Sequence, residues 1–450
     1  MNSQAAVRLD RLPMGRFHYK IIVLIGLGMF FDTFDIYMAG AVLAALVKSG
    51  WSNFELNAVF ISVTFLGLVI GSWMSGFFGD RLGRRFSYQA NLLLFGVASL
   101  VAAVAPNMIF LIIMRGIMGI GLGAEIVMGY GTLSEFVPPR SRGRWLSYLA
   151  LITNSGLTMS ALLGFLIIPH LGWRWMFVFV GVGALCVWYF RRVMPESPRW
   201  LEAKGLSAKA EEIVSSIEKG IEKEKGISLP GAEGVSPLQS EKQGSYLSLF
   251  RGRLLRRTVL AAILPAAQSV SAYTLINWLP TIFVKMGIDI SKTLGYNTLI
   301  MIGAPFGILL TSFVVDHFGR KWTAAILFLA CGVVGYIYAL QTQVAMIIIY
   351  GFGLITLIHV LNPISWALYP AELFPTEIRF RGTGTAFAFA RLTNVASPYG
   401  ISWLLVRHGT RSVFEVLAVM LFLVSITIAT IGIETKRKPL EVTSFVGEAA

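Results

Sequence analysis

Long apolar stretches alternate with short polar connections along almost the whole chain. Each stretch approaches or exceeds the roughly 20 residues that an α-helix needs to cross about 30 Å of hydrocarbon. The pattern therefore predicts an all-α membrane protein. Twelve transmembrane helices are expected, at approximately 21–47, 57–79, 87–105, 108–132, 145–168, 173–193, 258–284, 296–316, 322–340, 344–369, 382–406 and 411–433.

One long polar stretch, residues 194–257, interrupts the series in the middle. It divides the chain into an N-terminal six-helix half (1–193), a cytoplasmic central loop (194–257) and a C-terminal six-helix half with a cytoplasmic tail (258–450). Within the loop, Ser207 to Lys225 has apolar residues among Glu and Lys at helical spacing, which predicts short surface helices. Gly226 to Gly244 is rich in Gly, Ser and Pro and is expected to be flexible. The loop can serve as a regulatory site or as a solvated tether.

A loop motif occurs twice. Residues 76–85 read GFFGDRLGRR and residues 312–321 read SFVVDHFGRK, so Asp80 and Asp316 lie 236 positions apart (316 minus 80). Glu135 and Glu372, in a second pair of similar segments, lie 237 apart (372 minus 135). Two motif pairs with nearly one spacing indicate a duplicated unit of several helices, which is how secondary transporters build alternating access.

Composition and charge agree with a membrane location. The chain is 55% hydrophobic and 14% charged, with a mean hydropathy of +0.69, which is too apolar for a soluble globular fold. Its net charge of +14 comes from Lys and Arg that fall mostly in alternate loops, and the positive-inside rule then places both termini in the cytoplasm. Basic residues outside those loops are Lys48, Arg174, Lys285, Lys292, Arg407 and Arg411, with Arg115 and Arg391 inside spans.

Several functional classes are excluded by what the sequence lacks. It has no nucleotide-binding loop, metal-ligand cluster or nucleophile constellation, so neither an enzyme nor an ATP-driven pump is expected. No cofactor or metal is expected either. Cys186 and Cys331 lie far apart within predicted helices and do not indicate a disulfide framework.

The motifs resemble those of the major facilitator superfamily. The pattern G-x-x-x-D-R-x-G-R-R at 76–85 resembles its signature loop, while PESPRW at 195–200, the segment 372–379 and Glu434 with Thr435 resemble elements of the sugar-porter-like branch. The chain is most similar to bacterial metabolite and niacin:proton symporters and to organic-anion transporters. This resemblance implies the twelve-helix fold in two pseudo-symmetric halves, a monomer, and a multi-pass protein of the bacterial inner membrane.

The repeated loops and their acidic partners are candidate gates. Pairs of opposite charge on the cytoplasmic face must break when that face opens, so these residues can act as a latch. Alternatively, they only set topology. Neither interpretation makes them substrate ligands. The gating candidates are Asp80, Arg81, Arg84, Arg85, Glu135, Arg142, Asp316, Arg320, Glu372 and Arg379.

Charged residues within the spans are candidates for proton coupling, since each costs at least about 2.5 kcal/mol at bilayer depth. Asp32 and Asp35 stand three apart on the first helix and so share one face, among aromatic residues. An apolar setting favours the protonated carboxyl, which suits proton uptake and release. The alternative is a structural partner for an arginine such as Arg115. Arg115 itself matches the conserved-arginine helix of the family, where a proton relay and a structural pairing are both open.

Glu125 lies deeper on that helix, after a glycine-rich run, and an acid at this place resembles the niacin transporters more than hexose carriers. We interpret it as a coupling residue.

Arg391 is the sharpest clue to the substrate. The segment FARLTNVASPYG resembles the charged helix of organic-ion transporters, where a basic residue is typical of anion carriers. A guanidinium group binds a planar carboxylate in two-point fashion. The alternative is a salt bridge to Asp32 or Asp35 without substrate contact.

Polar and aromatic residues on other helices complete the expected substrate site: Tyr37, Gln268, Tyr273, Asn277, Trp278, Asn362 and Trp366. Aromatic walls with a few polar groups suit a small aromatic ligand. Any one of these residues can instead be ordinary core. The glutamine-rich pattern of hexose carriers is reduced to Gln268.

Together these features predict a proton-coupled importer of a small organic anion, such as nicotinate or a benzoate. The alternatives are a sugar or polyol:proton symporter, a drug exporter, and a receptor that binds its ligand without moving it. No nucleic-acid partner is expected.

Overall fold

The structure is a computed structural model. It describes the backbone of residues 4–229, 249–374 and 378–434, without the side chains at 4, 6, 75–80, 126–127, 139–140, 142–143, 203, 253, 312, 314–318, 371 and 379–380.

Helices account for nearly all of the described chain, so the predicted all-α class is confirmed. They are α1 Gln4–Asp10, α2 Arg16–Lys48, α3 Phe54–Leu82, α4 Arg84–Ala103, α5 Met108–Phe136, α6 Pro139–Leu171, α7 Arg174–Arg191, α8 Pro198–Ala203, α9 Ser207–Lys225, α10 Gly252–Lys285, α11 Ile290–Met301, α12 Gly303–Phe318, α13 Arg320–Ala339, α14 Val344–Pro363, α15 Tyr369–Leu373, α16 Arg379–Arg407 and α17 Thr410–Ile431.

The predicted spans agree with these helices. Within the described ranges, eleven spans are long and apolar enough to cross a membrane, the eighth of them running through α11 into α12. The predicted span that is not among these eleven, 382–406, corresponds to α16. This helix falls outside the eleven because polar residues such as Arg391 and Asn394 lower its hydropathy.

Two spans are less regular than the sequence pattern predicts. The span predicted at 296–316 begins at Ile290 and is broken at Ile302, three residues before Pro305. The ring of Pro305 removes a helical N–H and collides with the preceding turn. The span predicted at 344–369 contains a π-helical turn at Ile364–Leu368, directly after Pro363. An interrupted hydrogen-bond ladder at a proline accounts for this turn as well.

The contacts divide the chain into two compact units. The first comprises Met1–Ile36, Leu66–Gly156 and Arg174–Ser240, and the second comprises Tyr37–Phe65, Leu157–Trp173 and Glu241–Ala450. In the first, α4 packs along α5 and α7; in the second, α13 packs along α14 and α17. These helices hold equivalent places in the two repeats. The units cut through α2, α3 and α6, so the division into halves at 193 and 258 stays a prediction.

The central loop contains α8 and α9; the segment predicted to form short helices is one continuous helix, α9. Gly226 ends α9 in the left-handed conformation (φ 64°). Most of the segment expected to be flexible, from 230 to 244, lies outside the described residues.

Candidate transport site

Asp35 and Arg115 form a buried ion pair in the first unit. Arg115 Nη1 donates to Asp35 Oδ2 and its Nη2 donates to the Asp35 carbonyl at 2.9 Å. The side chains of Arg115 and Asp35 are 1% and 0% exposed, respectively. This pair corresponds to the structural alternative that the sequence left open for the aspartates of α2. A single guanidinium therefore holds both the side chain and the backbone of Asp35.

Glu125 pairs with an arginine that the sequence did not indicate. Arg191 Nη1 donates to Glu125 Oε1, while its Nε and Nη2 donate to the carbonyls of Leu24 (2.8 Å) and Ile25 (2.9 Å) on α2. Both side chains are 1% exposed. The guanidinium lies 4.8 Å from the ring centroid of Tyr88 on α4. Arg191 thus ties α2, α5 and α7 together.

Arg191 escaped prediction because it is the last residue of α7 and is followed by Arg192. Such a pair is typical of a charged loop. In the structure Arg192 is exposed and lies 4.0 Å over the ring of Trp188, whereas Arg191 turns inward. The available signal was Glu125 itself, a buried acid on α5 that needed a cation other than Arg115, which pairs with Asp35.

Asp32 stands one helical turn from Asp35 but in different surroundings. Its side chain is 1% exposed, and neither carboxylate oxygen has a hydrogen-bond partner within the described part of the chain. It interacts electrostatically with Glu125, Arg191 and Asp35. Because an ionised carboxylate without hydrogen bonds is costly to bury, the arrangement favours a protonated Asp32.

A second group of predicted residues lies together in the second unit. The ring centroids of Tyr37 and Tyr273 are 6.2 Å apart, and Phe65 meets Tyr273 edge-on at 4.6 Å. Arg391 on α16 is partly buried and interacts electrostatically with Tyr273. The structure therefore brings one cation and three aromatic rings into a single neighbourhood.

Gln268 and Trp366 are joined directly. Trp366 Nε1 donates to Gln268 Oε1 at 2.9 Å, and Gln268 Nε2 donates to the Ile358 carbonyl at 3.3 Å. The Trp366 ring lies 5.2 Å from that of Phe387 on α16. Gln268 thus fixes the orientation of an aromatic wall.

The remaining three candidates differ from one another. Asn277 is buried, and its Oδ1 has no hydrogen-bond partner within the described ranges. Trp278 is 1% exposed and stacks on Phe54 at 6.4 Å, which is a packing contact between α10 and α3. Asn362 is partly buried, one helical turn before Trp366.

Among the described side chains, predicted gating residues pair in both repeats. Arg84 lies 3.3 Å from Glu135 in the first unit, and Arg320 lies 3.4 Å from Glu372 in the second. All four side chains are partly buried. Arg84 and Arg320 are separated by the spacing of the sequence repeat, and so are Glu135 and Glu372. The duplication therefore extends to these contacts.

A carboxylate also binds backbone N–H groups beside each pair, at the start of α4 and at the start of α13. Glu196 accepts hydrogen bonds from the N–H groups of Arg84 (2.8 Å) and Arg85 (3.1 Å) at the start of α4. The helices α4 and α13 are each preceded by a glycine with positive φ, Gly83 (97°) and Gly319 (84°), a conformation that other residues rarely adopt. A carboxylate at a helix N-terminus satisfies free N–H groups and opposes the positive end of the helix dipole.

Known proteins resemble the chain over nearly its whole length. The sequence profile of the family described as "Sugar (and other) transporter" matches residues 21–445. The chain belongs to this family. It is 41% identical over 446 residues to the inner membrane metabolite transport protein YdjE of Escherichia coli strain K12, covering 98% of this chain and 99% of that one. Its motifs place it in the sugar-porter-like branch of the major facilitator superfamily, as predicted.

Two further proteins resemble this family member over nearly its whole length. It is 30% identical over 438 residues to the niacin transporter NiaP of Acinetobacter baylyi, covering 96% of this chain and 98% of that one. The crystal structure of a D-xylose-proton symporter superimposes with a TM-score of 0.73 at 20% identity, covering 93% of this chain and 99% of that one. The latter likeness shows the fold alone.

Membership of this family makes the protein a multi-pass membrane transporter and not an enzyme, as the sequence predicted. Of the family's gating positions, the side chains of Asp80, Arg142, Asp316 and Arg379 lie outside the described residues. Arg81 is exposed, and Arg85 Nη2 donates to the Arg192 carbonyl at 2.7 Å.

Proposed function

We infer that this transporter couples the inward movement of protons to the uptake of a small organic anion, an aromatic carboxylate like nicotinate or benzoate, by alternating access. The observation that carries the proposal is that Arg391 lies within electrostatic reach of Tyr273, whose ring packs with those of Tyr37 and Phe65.

The chemistry of this neighbourhood suits an aromatic acid. A guanidinium group supplies two parallel N–H donors to a carboxylate, which fixes orientation as well as charge. Tyrosine and tryptophan rings offer flat apolar walls with a polar edge. Gln268, which is bound to Trp366, keeps one such wall in place.

The relatives support the same substrate class. The niacin transporter of Acinetobacter baylyi is named for an aromatic carboxylate, and 96% of this chain aligns with it. The YdjE protein is named only for metabolite transport. A sugar or polyol is the principal alternative, because the family description and the D-xylose symporter both refer to sugars.

Proton coupling is assigned to the buried charges of the first unit. Asp32 carries the proton, while Asp35, Glu125 and Arg115 belong to the surrounding charge network. Arg115 holds Asp35 against α5, which ties α2 to α5. On this proposal the Arg84–Glu135 and Arg320–Glu372 pairs open and close with the cytoplasmic face. The protein works as a monomer in a bacterial inner membrane with both termini in the cytoplasm.

Ligand-dependent thermal stabilisation of the purified protein tests the substrate assignment. The panel contains nicotinate, benzoate, an aliphatic acid, a hexose, a pentose and an organic cation. We expect the aromatic acids to raise the unfolding temperature in wild type and to have no effect on Arg391→Ala. Arg407→Ala, at the exposed end of the same helix, is the matched control and should respond like wild type. Stabilisation by a sugar alone, or an unchanged response of Arg391→Ala, would overturn the anion site.

A further inference from the structure

The buried charges of the first unit do not balance. Counted over its described residues, the buried carboxyl groups are three, Asp32, Asp35 and Glu125, and the buried guanidinium groups are two, Arg115 and Arg191. Arg115 pairs with Asp35 and Arg191 pairs with Glu125, while neither oxygen of Asp32 has a hydrogen-bond partner in the described part of the chain. One bound proton makes the set neutral, and at bilayer depth neutrality is strongly favoured.

Arg191 and Glu125 both lie against the face of α2 that carries Asp32. Arg191 Nη2 lies directly over Gly28, so close that a Cβ atom at that residue would overlap both the guanidinium and the Glu125 carboxylate. Gly28 precedes Asp32 by four residues, which is one helical turn on the same face of α2. The glycine thus leaves open the surface of α2 that separates the guanidinium from Asp32.

The anchoring of Arg191 also suits a group that changes partners. Two of its nitrogens bond to the carbonyls of Leu24 and Ile25, where α2 already satisfies those oxygens in part through its own helix. The Tyr88 ring supports the guanidinium from α4. Nε and Nη2 therefore keep the guanidinium attached to α2, while Nη1, which donates to Glu125, is the nitrogen whose partner can change.

We propose that Arg191 is the positioning residue for the transported proton: it is held by Glu125 while Asp32 is protonated, and it turns to Asp32 when that proton leaves. The step breaks the Asp32 O–H bond, gives the proton to water on the side then open, and leaves a carboxylate that the guanidinium neutralises. Glu125, released from Arg191, is then stabilised by water that enters from the open side. This inference deepens the proposed function, on which it rests for the role of Asp32.

The prediction takes account of every charged group that is found near Asp32 in the described part of the chain. These are Glu125 on α5, Arg191 on α7 and Asp35 on α2, with Arg115 behind Asp35 and Tyr88 behind Arg191. Removing the cation makes Asp32 hold its proton to higher pH. Removing the charge of Glu125 frees the cation for Asp32, which then loses its proton at lower pH. The two substitutions must therefore shift the Asp32 midpoint in opposite directions.

The test is an infrared titration of the purified protein, which needs no substrate. The carbonyl band of a buried protonated carboxyl is assigned by its loss in Asp32→Asn, and its midpoint is then measured in variants. We expect Arg191→Gln to raise the midpoint and Glu125→Gln to lower it, each by about one pH unit or more, the usual effect of one neighbouring charge. Arg191→Lys, which keeps the charge, should stay near wild type.

Arg192→Gln is the matched control, because the Arg192 side chain is exposed and stacks on Trp188; its midpoint should not move. Equal or same-direction shifts for Arg191→Gln and Glu125→Gln would overturn the proposal. If Arg191→Gln does not fold, Glu125→Gln decides alone, and an unchanged or raised midpoint refutes the exchange. Absence of carboxylate flux in wild type would refute the proposed function, whereas the midpoints test the role of Arg191 independently of flux.

Discussion

Glu196 and Glu434 make the same contact on two different helices. Glu196 binds the N–H groups of Arg84 and Arg85 at the start of α4, and Glu434 binds those of Arg320 and Lys321, at 2.9 and 3.2 Å, at the start of α13. Each carboxylate follows the last span of its repeat. The end of each repeat is thereby fastened to the third span of the same repeat.

Loss of either carboxylate should destabilise the protein to a similar degree. Glu196→Gln and Glu434→Gln remove a charged cap, an interaction typically worth about 1 kcal/mol. We expect both to lower the thermal unfolding temperature of the purified protein. Glu212→Gln, at an exposed position of α9, is the control and should leave it unchanged. A fall for one substitution only would contradict the equivalence of the two contacts.

Helix α1 packs on α9, and we call this contact the N-terminal clasp. Its stability should depend on Glu218. This residue accepts hydrogen bonds from Arg8 and Arg11 and is 12% exposed, whereas Glu211 binds Arg8 while 55% exposed. Glu218→Gln is expected to release α1, at a cost of about 1–3 kcal/mol, and Glu211→Gln to have little effect, because exposed pairs contribute little. Limited proteolysis of the N-terminal segment distinguishes the two. If the N-terminal segment is equally protected from proteolysis in Glu218→Gln and Glu211→Gln, Glu218 does not contribute more than Glu211.

The same clasp should open in acid. Burial alone would raise the pKa of the Glu218 carboxyl, but hydrogen bonds and charges from Arg8 and Arg11 outweigh burial and lower it. A group whose folded pKa is lowered stabilises the fold above its ordinary pKa, about 4.3 for glutamate, and loses this effect as pH falls through the folded value. Proteolysis with an acid-active protease should therefore show release of α1 only below about pH 4. Release at neutral pH in wild type would be inconsistent with this pairing.

Gly28→Ala should separate proton coupling from folding. The added methyl group overlaps the Arg191–Glu125 pair and must push the guanidinium away from α2. We expect the variant to insert and bind substrate while accumulation driven by a pH gradient falls at least tenfold. Gly131→Ala, whose new methyl group meets open space, is the control. Wild-type accumulation by Gly28→Ala would show that the close approach has no part in coupling.

Trp366→Phe tests the wall of the substrate site. The change removes the donor to Gln268 Oε1 and leaves a buried carbonyl oxygen without that partner. Without that bond, holding the wall in the orientation that binds substrate costs about 1 kcal/mol, so the half-saturating substrate concentration should rise roughly fivefold, with little change in maximal rate. Trp403→Phe, at an exposed position of α16, serves as the comparison. A change in rate alone would place Trp366 outside the substrate contacts.

Much of the fold was predictable because membrane spans can be recognised by their hydropathy. The repeat at Asp80 and Asp316 predicted the duplication, and the paired contacts of Glu135 and Glu372 follow it in the described residues. The break at Ile302 and the π-helical turn after Pro363 were missed, although prolines stood at both places. Hydropathy records the length of a span but not the continuity of its hydrogen bonds.

The candidate site was predicted as a set of residues and not as a set of pairs. Asp32, Asp35 and Glu125 were identified because charges are rare in apolar helices. Which acid would meet Arg115 was not decided by the spacing of Asp32 and Asp35, since both lie on one face. Arg191 was missed because an arginine at a helix end looks the same in sequence whether it faces lipid headgroups or the protein interior.

Coupling of protons to carboxylate uptake can be measured by recording proton and solute movement simultaneously in proteoliposomes. Vesicles with a trapped pH indicator receive nicotinate, benzoate or a sugar under an imposed pH gradient. We expect an aromatic carboxylate to accumulate and acidify the lumen in wild type, Arg391→Ala to do neither, and Asp32→Asn to lose both the acidification and the accumulation. Sugar-driven acidification without a response to carboxylates, or carboxylate accumulation that is independent of the pH gradient, would contradict proton-coupled uptake of an aromatic acid.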